Sequence, residues 1–233
     1  MNRKLCLLVT GMSCLSPGDS HTFAVSIGGD ECCGDGGTLE FFTDTTLLPD
    51  SISYPPISSF QFANTTTLYG YSYEIVSQVA VNASGGTLTT QWNDLLNGYG
   101  GIQYDAGLIY GSAGQVMNPA TGELVGSYDV GSNSCCSSSN DLLAESAVGR
   151  TFVAGVSPFF SSLGITSYNL SEFTPIAVIN LSQLSGNLAP TFINWGTNGL
   201  AFVLEASCCQ SQPSQVVLVQ SRMMQAQSDG KKR

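Results

Sequence analysis

Three pairs of adjacent cysteines punctuate the chain: Cys32-Cys33 in "GGDECCGDGG", Cys135-Cys136 in "GSNSCCSSSND" and Cys208-Cys209 in "LEASCCQSQP". Each pair lies in a polar run rich in Gly, Ser or Gln. Thiols can hold a metal, exchange electrons or cross-link loops. Structural zinc sites favour C-x2–4-C spacing, which lets two thiolates converge on one tetrahedral ion. Directly adjacent cysteines converge poorly, and His21 is the chain's one histidine, so zinc is disfavoured. A redox C-x-x-C is absent. A bond between the two members of a pair is strained, because Cα atoms ~3.8 Å apart fall below the usual disulfide range. Stapling within or between loops, vicinal bonds included, is the leading reading, each bridge contributing about 2–4 kcal/mol; unpaired surface cysteines are the alternative. Eight cysteines, six of them in polar segments, suit an oxidising compartment. Cys14, in an apolar run, reads instead as a small core residue.

Other chemistry is sparse. Asp30, Glu31 and Asp35 surround the first doublet and offer oxygen donors at spacings Ca²⁺ accepts, but without the EF-hand ligand set; a solvated acidic turn is the plainer reading. His21 has no legible serine and carboxylate partners, so no triad is apparent. Trp92 and Trp195 are residues that stack on sugars when exposed. Phe159 and Phe160, in the loop-like "SPFFSSLG", are adjacent aromatics of the kind that mark a partner contact. Asn64, Asn82, Asn169 and Asn180 begin N-x-S/T sequons. No catalytic constellation and no cofactor motif emerges.

The elements that must carry these residues are β-strands. Of 233 residues 42% are hydrophobic, enough for a substantial core, while only 10% are charged, against a usual quarter. Seventeen acidic and seven basic residues give a net charge of −10. With no basic stripe, binding to nucleic acid or to an anionic membrane surface is disfavoured. No apolar run reaches the ~20 residues that span a bilayer. Runs of Val, Ile, Phe, Tyr and Thr alternate with Gly, Asn, Asp, Ser and Pro clusters, an all-β pattern. Five segments then repeat: "HTFAVSIG", "TLYGYSYE", "GLIYGSAG", "RTFVAGVS" and "GLAFVLEA". Aligned on Thr22, Thr67, Leu108, Thr151 and Leu200, they recur every 45, 41, 43 and 49 residues. Each has a strand before it and a strand after it. Four units carry a further strand, in "TTLLPDS", "GTLTTQW", "GELVGSY" and "TPIAVIN"; the fifth runs into polar sequence.

Four short strands in 40–50 residues is the dimension of a β-propeller blade. The expectation is an all-β propeller of about five four-stranded blades over 11–223, with an N-terminal segment 1–10 and a polar, disordered tail 224–233. Small residues around the second strand, Ala24, Gly70, Gly111 and Ala154, suit close packing near an axis. Antiparallel order sends the connections after the second and fourth strands off one end of every blade, which places all three cysteine doublets on one face, together with Phe159 and Phe160. Leu5–Val9, preceded by basic residues, is either a short export signal or a strand that completes the fifth blade.

Residues 100–130, "GGIQYDAGLIYGSAGQVMNPATGELVGSYDV", resemble the repeat of bacterial secreted propellers related to the YVTN-repeat and lactonase-like families. "GQVMNPATGELVGSY" carries most of the likeness, and "NWGTNGLAF" resembles the start of another blade. The resemblance implies an extracytoplasmic protein, secreted or held in the cell envelope, and brings no catalytic residue with it. Such rings usually have seven blades, so five imply either an arc of a larger ring or a smaller ring closed by Leu5–Val9. The function implied is a non-catalytic binding or scaffold module presenting its loop face to a protein or glycan, with Phe159, Phe160 and Trp195 as contact residues. The alternatives are a lactonase-like metal-dependent hydrolase or lyase, for which Asp105 and Glu145 are the carboxylates on first strands, and an inactive fragment of a larger surface protein.

The staple reading has a direct check. Protein recovered from an oxidising compartment is expected to show few or no free thiols among Cys32, Cys33, Cys135, Cys136, Cys208 and Cys209 on non-reducing peptide mapping. Reduction is expected to leave the far-UV spectrum β-rich; six free thiols would contradict stapling.

Overall fold

The computed structural model describes residues 6–9, 11–27, 37–72, 74–97, 100–130, 141–156, 162–184, 187–188, 192–205 and 214–222. Strands follow one another in five antiparallel sheets. The first holds β1 (Cys6–Val9), β2 (Gly11–Leu15), β3 (Thr22–Ile27), β4 (Gly37–Thr43), β5 (Thr46–Leu47) and β6 (Ile52–Ile57). The second is β7 (Ser59–Asn64), β8 (Thr67–Ser72), β9 (Ile75–Asn82) and β10 (Gly85–Asn93). The third is β11 (Ile102–Asp105), β12 (Leu108–Gly111), β13 (Gln115–Asn118) and β14 (Glu123–Ser127). In the fourth, β15 (Asp141–Glu145), β16 (Arg150–Val156), β17 (Leu163–Asn169) and β18 (Pro175–Asn180) lie in sequence order. The fifth comprises β19 (Asn187–Leu188), β20 (Ile193–Trp195), β21 (Gly199–Glu205) and β22 (Gln215–Gln220). Apart from one short 3-10 turn, Ser146–Val148, no helix occurs among the described residues. The fold is that of a β-propeller, built blade by blade along the chain.

Asparagine ends many of the strands. Asn64, Asn82, Asn118 and Asn169 each close a strand and turn Oδ1 onto the backbone N–H two residues on, at 2.9, 2.7, 2.9 and 3.0 Å. This side-chain bond replaces the next ladder bond and starts the hairpin. Asn180, at the end of β18, does the same for Ser182 at 2.7 Å, so all four sequon asparagines are turn-formers.

The chain forms two compact units, Met1–Gly111 with Gln115–Val125, and Ser112–Gly114 with Gly126–Arg233. In the first unit, Leu39, Phe41 and Ile57 of the first sheet pack on Phe60, Phe62, Leu68 and Val79 of the second. The opposite face of the second sheet, through Tyr69, Tyr71 and Val76, packs on Ile102, Ile109 and Met117. In the second unit, Leu143, Phe152 and Ile165 meet Phe192, Leu200 and Phe202, with the Phe192 and Phe202 rings edge-on at 6.1 Å. Each such side chain, fully buried, contributes about 1.5–3 kcal/mol.

Three expectations need correction. The second strands begin at Thr22, Thr67, Leu108, Arg150 and Gly199, so the alignment on Thr151 and Leu200 is one residue late in the last two units. In a strand that slip exchanges the two faces. The fourth strand of the first sheet is not simply "TTLLPDS": β5 is two residues long, and the main edge on β4 is β6, "ISYPPI". Proline, lacking an N–H, is tolerated there because it lies at a sheet edge. Cys6–Val9 is a strand, but its partner is β2 in the first sheet rather than β22 in the fifth. Gly70 and Gly111 lie in seams between sheets: a Cβ on Gly70 would press on Ile57, and one on Gly111 would touch Leu96. Cys14 faces Cys6 across the β1–β2 ladder.

Gly86 shows how tight these seams are. A Cβ there would overlap the Phe41 ring of the first sheet. Gly86→Ala is expected to cost about 1–3 kcal/mol by overpacking in denaturant unfolding, and Phe41→Leu in the same chain is expected to recover part of that loss. Additive losses would contradict the contact.

Candidate functional site

Polar side chains on the first strand of a blade are the natural place to look for chemistry, and here they are spent on the neighbouring blade. Ser59 opens β7, and its Oγ accepts the N–H of Ile102, which opens β11, at 3.0 Å. Two residues on, Gln61 Oε1 accepts the N–H of Tyr104. Asp141 opens β15; its Oδ2 accepts the N–H of Phe192 at 2.7 Å and its Oδ1 that of Leu142 at 3.0 Å. Asn194 Nδ2 donates to Glu145 Oε2. The first strand is an edge of its sheet, so its outward N–H groups need acceptors. Ser59 and Asp141 supply them from equivalent positions.

Desolvation at the seam pushes the Asp141 carboxyl up to about 7, against the pull of the Phe192 and Leu142 N–H groups. Tyr128 anchors another part of the second unit. Its hydroxyl donates to the Leu170 carbonyl at 2.9 Å and accepts from Thr151 Oγ1 at 2.8 Å. Burial raises it to about 12. The Tyr168 hydroxyl reaches the Asp129 carbonyl beside it. These bonds hold segments in place.

Among the described residues no group of three or more His, Cys, Asp or Glu is placed to hold a metal. No described helix is long and apolar enough to cross a membrane. His21 does have a carboxylate partner that sequence reading missed: Nδ1 lies 2.5 Å from Asp44 Oδ1, both side chains exposed. The pairing raises the imidazole above its ordinary value. The signal lies in the register, because Thr22 and Thr43 are ladder partners and His21 and Asp44 flank them.

The connections leave each sheet at two ends. At one they run to six residues at most, from Thr65-Thr66, Ala83-Ser84 and Ala106-Gly107 to 16–21 and 170–174. At the other they vary: 58, 73–74 and 112–114 are short, whereas 28–36, 94–101, 128–140, 157–162, 181–186 and 206–214 are longer. The three cysteine doublets, Asp30, Glu31, Asp35, Phe159 and Phe160 all fall in segments of this second kind and lie outside the described residues. Trp195 ends β20 at a short turn, so strand order separates it from the end that carries the long connections. Its side chain is exposed, at 57%. Trp92 packs instead against the Tyr69 core, with ring centroids 6.5 Å apart.

No family model matches the chain. No curated protein matches it in sequence. Among solved structures, the chain is similar to the β-propeller protein BamB from Moraxella catarrhalis, at 11% identity and a TM-score of 0.50, with 92% of this chain and 66% of that one covered. It aligns less closely with KlAtg21 in complex with the coiled-coil of AgAtg16, at 11% identity, TM-score 0.47 and coverage of 91% and 70%. For apo AztD from Citrobacter koseri the values are 12%, 0.41, 94% and 62%. The likeness to BamB is one of fold, and this chain spans about two thirds of that protein's length.

Asp141 makes a pH dependence testable. A carboxyl whose pKa rises from 3.8 when unfolded to about 7 when folded favours the fold in its protonated form. Its contribution is complete below the unfolded value and is lost as pH rises through the folded one. Denaturant midpoints are therefore expected to fall between about pH 4 and pH 7. Asp141→Asn, which keeps an acceptor for Phe192, is expected to flatten that slope; an unchanged slope would contradict the assignment.

Proposed function

We propose that this chain is a non-catalytic binding or scaffold module, a propeller of the bacterial extracytoplasmic kind akin to YVTN-repeat and lactonase-like relatives, which receives a protein partner on the end of its blades that carries the long connections. The observation that supports the reading is that the connections of more than six residues, 28–36, 94–101, 128–140 and 206–214, all leave the sheets at one end, which also has short connections at 58, 73–74 and 112–114. The opposite end is closed by hairpins whose asparagines are already committed to their own backbones. The other holds the segments 28–36, 131–140, 157–161 and 206–213, which contain the cysteine doublets and the Phe159-Phe160 pair. Long connections on a rigid sheet scaffold are where recognition concentrates. Adjacent aromatics favour a protein interface, and bridges among the doublets would limit the entropy lost on binding. Secretion or placement in the cell envelope accords with cysteine-bearing polar loops. Catalysis finds less support, since of the two carboxylates named for it, Asp105 and Glu145, Glu145 is engaged by Asn194 of the next sheet, and no group of three or more His, Cys, Asp or Glu among the described residues is placed to hold a metal.

The test pairs binding with turnover. Purified envelope proteins and a glycan array are screened with the whole chain and with two variants: 131–140 replaced by a short Gly-Ser linker, and Phe159→Ser with Phe160→Ser. A protein ligand bound by the parent, lost in both variants and retained by Asn82→Ala at the opposite end is the expected result. Glycan binding alone would shift the partner class. Metal-dependent hydrolysis of a lactone panel would contradict the reading.

A further inference from the structure

The fifth sheet presents an apolar face to solvent. Ile193 pairs with Ala201 and Ala201 with Leu218, so the three form one row across the sheet. Val203 and Val216 form a second, and Trp195 sits opposite Gly199. Alternation puts all of them on one face, while Leu200, Phe202 and Val217 point the other way, into the seam with the fourth sheet. The exposed members are large: Val216 at 71%, Leu218 at 55% and Ile193 at 53%, beside Trp195. None of these residues is charged, in a chain whose net charge is −10. β22 pairs only with β21 among the described strands, whereas its counterparts β9 and β17 are paired on both sides.

The seams elsewhere say what such a face accepts. Counting from the first residue of the second strand, the residues that face the following sheet in the described seams stand at positions three and five: Ala24, then Tyr69 and Tyr71, then Phe152 and Ala154. Positions two and four face the preceding one: Leu68 and Gly70, Ile109, then Leu200 and Phe202. Every described seam thus joins a forward face to a backward face, never two of a kind. Ala201 and Val203 occupy positions three and five, so the open face of the fifth sheet is a forward face. The matching backward face belongs to the first sheet, at Phe23 and Val25 in positions two and four. There Phe23 and Phe42 stack at 5.1 Å and remain part-exposed, flanked by exposed Ile27 and Leu47.

We propose that the forward face of the fifth sheet docks on the backward face of the first sheet in a second copy of this chain, a head-to-tail contact that repeats the geometry of the seams within each unit. A contact between two different surfaces propagates rather than closing as a two-fold dimer, unless the rotation forms a ring. It is independent of the long-connection end assigned above.

Sedimentation of the full chain across a concentration series tests this, with Leu218→Lys on one face and Ile27→Lys on the other. The parent is expected to assemble with rising concentration, and each variant alone is expected to stay monomeric. An equal mixture of the two is expected to form a heterodimer and stop there, because only one intact face remains on each copy. If either variant loses its β-sheet circular dichroism, Val216→Lys or Leu47→Lys replaces it on the same face. A parent that is monomeric throughout overturns the proposal. So does assembly abolished by the fifth-sheet variant but untouched by the first-sheet variant, the signature of a two-fold contact.

Discussion

A short antiparallel sheet with apolar side chains on both faces is unstable alone in water. Its strands alternate, so each face needs its own cover. This constraint organises the chain. The second sheet meets it on both sides, with Phe60, Phe62 and Leu68 turned one way and Tyr69, Tyr71 and Val76 the other. The fourth and fifth sheets meet it through Phe152 and Phe202. Glycine appears where two sheets press together, at Gly70 and Gly86, and the side chains of Ile57 and Phe41 fill the space it leaves.

Apolar packing does not fix how one blade is set against the next along the strand direction, because hydrophobic contact is non-directional. The bonds from Ser59 to Ile102 and from Asp141 to Phe192 do. They also remove the cost of burying unpaired N–H groups at a sheet edge, about 1–3 kcal/mol each. Polar residues on first strands are thereby occupied with structure. The blade ends are left to differ, with asparagine hairpins at one and long connections at the other, and recognition is assigned to the latter.

Much of this was legible in the sequence, for physical reasons. Turn residues recur at the blade period because every hairpin needs them, so the five units and their antiparallel order could be read directly, while the sixth strand of the first sheet and β19 in the fifth could not. Register was harder. Arg150 and Gly199 open strands without looking like strand residues, and the eye settles on Thr151 and Leu200, one place late; only the ladder partners Glu145 and Trp195 fix the start. β6 was missed because Tyr54-Pro55-Pro56 reads as a break, yet an edge strand tolerates residues without a donor. Ser59 and Asp141 were invisible as seam acceptors, since their partners lie 43 and 51 residues away and nothing local marks them. The apolar face of the fifth sheet was likewise hidden, because Val216 and Val217 are the same residue to composition and differ only in the side they face.

The central claim is that adjacent blades are locked by a side chain of one accepting a backbone N–H at, or one residue before, the start of an edge strand of the next. Native-state hydrogen exchange at the amides of Ile102 and Phe192 tests it most directly. The account predicts protection close to that of amides inside the ladders, such as Leu68 and Phe152. Exchange at the rate of open edge amides, while the ladder amides stay protected, would contradict it.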